Sequence, residues 1–72
     1  MGKTVKLWGD AEACIQEAMR LVASWDINST PWVEEHDDFI TVTTLVPGDS
    51  SGGLVEVGVT LTPDGAGWLL EG

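Results

Sequence analysis

The run Leu54–Thr62 sets the tightest limit on what this chain can fold into. Val55, Val57, Val59 and Leu61 alternate with Glu56, Gly58, Thr60 and Thr62. An extended backbone sends alternate side chains to opposite faces, so one face of this strand is apolar and the other mostly polar. A sheet built on such a strand needs a cover on one side and tolerates water on the other.

The cover is legible earlier in the chain. Ala11, Cys14, Ile15, Ala18, Leu21, Val22 and Trp25 recur at three- and four-residue intervals, which predicts an amphipathic helix over residues 11–25. Asp10 is placed to cap it, and Glu12 adds negative charge to the first turn, where the helix dipole favours it. Glu17 reaches Arg20 at a spacing of three. The stripe ends on Trp25, which is expected in the core. Asn28, a residue that tolerates a left-handed backbone, and Pro31 then break the helix.

Three further strands are expected. Residues 3–8 alternate, with Val5 and Leu7 on one face and Lys6 and Trp8 on the other. Residues 39–46 are all strand formers, with Ile40, Val42, Thr44 and Val46 sharing a face. Residues 66–71 place Trp68 and Leu70 opposite Leu69. A mobile loop is expected at 47–53, and Thr62-Pro63-Asp64-Gly65 predicts a turn with proline in its second position. Trp32 and Val33 begin an edge strand that the acidic run after them interrupts. The expected fold is a single α+β domain in two layers. One helix lies on a three- or four-stranded, mainly antiparallel sheet, in the order β-α-β-β-β.

Composition narrows the function classes. The chain has 72 residues, three basic against twelve acidic, and a net charge of −9. That balance opposes direct binding to nucleic acid or anionic lipid and favours a basic partner. A hydrophobic fraction of 43%, including four tryptophans, is too rich for an acidic disordered tail. With one cysteine there is no internal disulfide, and so small a core supplies only ~3–5 kcal/mol, which makes a homodimer one expected route to stability. No secretory leader pattern and no apolar run of spanning length is seen, so a cytoplasmic protein is expected.

The strongest candidate site is Trp32-Val33-Glu34-Glu35-His36-Asp37-Asp38. Glu34, Glu35, Asp37 and Asp38 make a compact negative patch that could imitate part of a phosphate ladder, with Trp32 as an aromatic anchor for a basic protein surface. The same run also reads as a solvated segment that protects a sheet edge. His36 with Glu35 and Asp37 offers metal donors, but neighbouring strand side chains point apart, and no metal or other cofactor is expected. Cys14 sits on the apolar stripe, where a thiol is buried and inert. Ser50-Ser51-Gly52-Gly53 lacks the lysine of a phosphate loop. No catalytic residue is assigned, and an enzyme is the least favoured class.

In profile the chain resembles small phage-encoded anti-restriction and anti-CRISPR proteins, which are acidic single domains without cofactor or catalytic signatures. The resemblance implies an inhibitor that blocks a nucleic-acid-handling protein by occupying its basic surface. The competing expectations are an antitoxin or immunity-type partner held by shape, and a phage structural or assembly module.

Overall fold

A computed structural model describes residues 4–26, 28–48 and 52–72. The elements are β1 (Thr4–Trp8), α1 (Ala11–Ala23), β2 (Trp32–Glu35), β3 (Ile40–Pro47), β4 (Leu54–Asp64) and β5 (Gly67–Glu71). All five strands join one antiparallel sheet in the order β1-β5-β4-β3-β2, and α1 packs across one face. The fold is the expected two-layer α+β class, with five strands where three or four were expected. The difference is β2, in which Glu34 and Glu35 continue the strand instead of interrupting it. Pairing with β3 imposes that state on a segment whose own pattern does not alternate.

The helix starts as its sequence dictates. The Asp10 Oδ1 accepts from the Ala13 N–H at 2.9 Å, satisfying one of the unpaired donors of the first turn. Its far end differs from expectation. The helix stops at Ala23, the Ser24 N–H and hydroxyl bond back onto the last turn, and the Asp26 carboxylate takes the Asn28 N–H. Among the described residues only glycines have positive φ, so Asn28 does not adopt the left-handed conformation. Trp25 is 45% exposed and therefore is not core. The stripe that is buried is narrower: Cys14, Ala18 and Val22, whose small side chains bring the helix close to the sheet.

Beneath the helix lie Ile40 and Val42 of β3, Val59 and Leu61 of β4 and Leu70 of β5, with Leu7, Val33 and Trp68 packed around them. The register sets Ile40 opposite Leu61, Val42 opposite Val59, and Leu61 opposite Leu70. Thr44 is also wholly buried on this face, and its hydroxyl has no hydrogen-bond partner among the described residues. The other face carries Thr41, Thr43, Thr60 and Thr62, with Trp32, Glu34 and Glu56, as a water-facing antiparallel sheet should. Gly58 lies there because a Cβ would stand 2.3 Å from the Val42 carbonyl oxygen.

The β4–β5 connection falls two residues later than expected. Asp64 pairs with Gly67, and the two-residue turn is Gly65-Ala66, with Gly65 at φ +61°, as a type II′ hairpin requires. Pro63 is a strand residue opposite Trp68. Its missing N–H faces the place where β3 has already given way to its turn, so no ladder bond is lost. The centre of the expected loop at 47–53, residues 49–51, lies outside the described residues, as does Lys3 of the expected first strand. Pro47 belongs to β3, and the Gly48 N–H bonds the Gly53 carbonyl at 2.7 Å. Among the described residues no helix is long and apolar enough to cross a membrane.

Candidate functional site

The acidic run is a hairpin corner. After Glu35 the chain turns through Asp37 and Asp38, and the His36 N–H donates to the Phe39 carbonyl at 2.8 Å, closing the corner. The His36 and Phe39 rings stack with centroids 4.3 Å apart, which adds a side-chain clasp to the backbone bond. The corner holds Asp37 and Asp38 at its tip, both exposed.

The strand divides the remaining candidates. Trp32 and Glu34 share the open face with Thr43 and Thr41, whereas Glu35 lies on the helix side opposite Ile40. Both glutamates are exposed and Trp32 is half-buried. Trp32 stands three residues back from Glu35, about 10 Å at strand spacing. So Glu34, Glu35, Asp37 and Asp38 stay together around one end of a hairpin, while Trp32 flanks them from deeper in the sheet. It lines a hollow of about 370 Å³ at the foot of the β3–β4 hairpin, with Asp26, Asn28, Thr44 and Leu54.

The register shows what a linear reading misses. The β2–β3 turn, the β4–β5 turn and the end of β1 all fall at the same end of the sheet. The helix starts from that end as well, so its capping Asp10 and first-turn Glu12 are there. Asp64 sits at the mouth of the β4–β5 turn. Seven carboxylates therefore gather at this end: Asp10, Glu12, Glu34, Glu35, Asp37, Asp38 and Asp64. Across the four spacings of about 4.8 Å that separate β1 from β2 they span ~19 Å. Only topology brings Asp10, Glu12 and Asp64 to the corner, so no local signal in the sequence could have found them.

Cations do little to offset this charge. Among the described residues there are two salt bridges, Lys6 Nζ–Asp64 at 2.7 Å and Arg20–Glu17 at 3.1 Å. Lys6 also donates to the Asp64 backbone carbonyl and lies 4.6 Å from the centroid of the Trp8 ring. Trp8 itself is 72% exposed at this acidic end. Trp68, by contrast, packs on the helix-side core. The end thus combines seven carboxylates, one ammonium already engaged, and an exposed indole.

Groups with catalytic or ligating chemistry are dispersed. Cys14 is buried under the helix, its thiol directed to the Trp8 and Gly9 carbonyls at 3.9 and 4.0 Å. Burial pushes the thiol above its ordinary value, and the charges of Asp10 and Glu17 push the same way against a smaller opposing effect of Lys6. Such a thiol stays protonated at neutral pH. No group of three His, Cys, Asp or Glu side chains among the described residues is arranged to hold a metal ion. Comparison with protein-family models, curated proteins and solved structures returns no match to this chain.

Proposed function

We propose that this protein is a non-enzymatic inhibitor that binds a basic, nucleic-acid-handling protein through the acidic end of its sheet. The reading is of a phage-encoded anti-defence protein, anti-CRISPR or anti-restriction in type, acting in the cytoplasm. The observation that supports it is the convergence of seven carboxylates from three separate connections on one end, against a single lysine. Duplex DNA carries about eleven charges over the same ~19 Å, so the end reaches more than half the linear charge density of the ligand it would displace. Neighbouring acids of the corner, at ~3.3 Å per residue, lie within the ~8 Å screening length and act together on an approaching Lys/Arg groove. Charge steers the encounter, and Trp8 and Trp32 supply apolar contact once docked.

The test is affinity capture from a bacterial lysate with the wild-type protein and the variant E34Q/E35Q/D37N/D38N, at low and then high salt. The expected result is a nucleic-acid-binding protein held by the wild type at low salt, released at high salt, and not held by the folded variant. A partner retained by the folded variant, or one that survives high salt, contradicts the reading and favours an antitoxin-like partner held by shape.

A further inference from the structure

Eight large apolar side chains are exposed among the described residues, and six of them gather at the end of the sheet away from the acidic turns. Leu45, Leu54 and Val55 belong to the far half of the β3–β4 hairpin. Val5, Leu21 and Trp25 line a hollow of about 360 Å³ between the last turn of α1 and the sheet, floored by Val59 and Leu70. The hollow is the reason Trp25 is not core: the helix ends there over strands that fall short of filling the space.

The hairpin outruns its neighbours on both sides. The first β2 pair is Trp32–Thr43 and the last β5 pair is Glu71–Thr60. Residues 44–47 and 54–57 therefore pair only with each other among the described residues, forming a two-stranded arm on a molecule 42 Å long and 22 Å wide. An isolated two-stranded ribbon is marginal in water. The Gly48–Gly53 bond fixes the alternation of the ladder, so Val55, Val57 and Val59 bond to β3, and Leu54, Glu56 and Gly58 direct their N–H and C=O groups outward. That open edge carries one charge, Glu56, and is otherwise apolar. An edge so lightly protected is a template for another strand. Val55 faces the helix side of the sheet, the same side as the hollow.

We propose that arm and hollow are the two halves of one self-complementary interface, through which two copies of this chain associate about a two-fold axis. The arm of each copy lies along the other, with Val55 set against Trp25, Leu21 and Val5 of the second copy. A closed two-fold pairing uses both halves on both copies, so this interface does not propagate into a filament. Charge favours the second copy as occupant in this arrangement alone. Joining at the arms leaves the acidic ends at opposite extremes of the pair, separated by far more than the ~8 Å screening length, so two copies of charge −9 repel little.

Sedimentation equilibrium over a wide concentration range tests this. The wild type is expected to rise from 7.7 kDa toward twice that mass, with no larger species. Val55→Asp on the arm and Trp25→Asp in the hollow should each weaken association at least about tenfold, as loss of a central interface anchor does. Both positions are exposed, so circular dichroism should show an intact fold. Mixing the two variants should restore part of the association, because one undamaged arm then meets one undamaged hollow. Trp8→Ala, at the opposite end, should leave association unchanged. A wild type that stays at 7.7 kDa throughout, association that survives Val55→Asp, or a mixture no better than either variant would overturn the proposal.

Discussion

The two ends of the sheet are built on opposite terms. At the acidic end tight turns close β2–β3 and β4–β5, Asp10 caps the helix, and seven carboxylates are exposed beside Trp8, His36 and Phe39. At the arm end β3 and β4 run on without neighbours, and the large exposed apolar side chains are leucine, valine and tryptophan. Both ends are exposed for different physical reasons. Charge at the first is held out by solvation and needs no packing. Apolar surface at the second is left over because one 13-residue helix cannot cover five strands. Exposure alone therefore does not separate a surface that attracts from one that merely lacks a cover, and the chemistry of each end does.

Substitutions that break the backbone should act at either end with the largest effect. A Cβ on Gly67 would lie 2.2 Å from the Leu7 carbonyl oxygen, and one on Gly58 would lie 2.3 Å from that of Val42. Gly67→Val near the acidic turns and Gly58→Val at the base of the arm should each cost about 3 kcal/mol or more. In a domain with only ~3–5 kcal/mol to lose, each should lose most of its stability, read by circular dichroism as a collapse of the urea midpoint. Leu61→Ala, in the centre of the core between the two ends, is next. It should lower stability by about 3 kcal/mol in urea melts through the cavity it leaves.

Smaller changes sharpen the comparison. Asp10→Ala removes the helix cap at the acidic end and should cost about 1 kcal/mol, although it also removes one of seven crowded negative charges. Thr44→Val, at the foot of the arm, replaces a buried hydroxyl that has no partner among the described residues by an isosteric methyl. It should leave stability unchanged or raise it by up to about 1 kcal/mol. A melt in which Thr44→Val is strongly destabilised would mean that the hydroxyl is satisfied in the folded protein. The least visible effect is that of pH on Cys14. Its folded-state thiol lies above its ordinary value of 9.0, so the native state keeps a proton that the unfolded chain releases. The contribution is complete below that value and is lost as pH rises through the folded-state value. Iodoacetamide at pH 8 should label Cys14 in urea and spare it in the native protein.

Much of the fold is legible in the sequence because periodicity reports directly on burial. The alternation of residues 54–62 and the stripe through Cys14, Ala18 and Val22 each survive in the structure, and so does the Asp10 cap. The exceptions share a cause. β2 is a strand because β3 pairs with it, Trp25 is exposed because of what lies beneath it, and Pro63 is tolerated in a strand because β3 ends beside it. Each depends on a neighbour distant in sequence. The candidate site divides the same way. Glu34, Glu35, Asp37 and Asp38 are contiguous and visible at once, whereas Asp10, Glu12 and Asp64 join them only through strand register.

The separation of the two ends is tested most directly by the salt dependence of binding to the partner captured from lysate. Affinity should be measured for the wild type and for E34Q/E35Q/D37N/D38N across a range of sodium chloride. If the acidic end is the contact surface, wild-type affinity falls steeply and linearly on logarithmic axes, and the folded variant binds far more weakly with a shallower slope. Equal slopes and equal affinities for the two proteins would contradict the account and move the contact surface away from the acidic end.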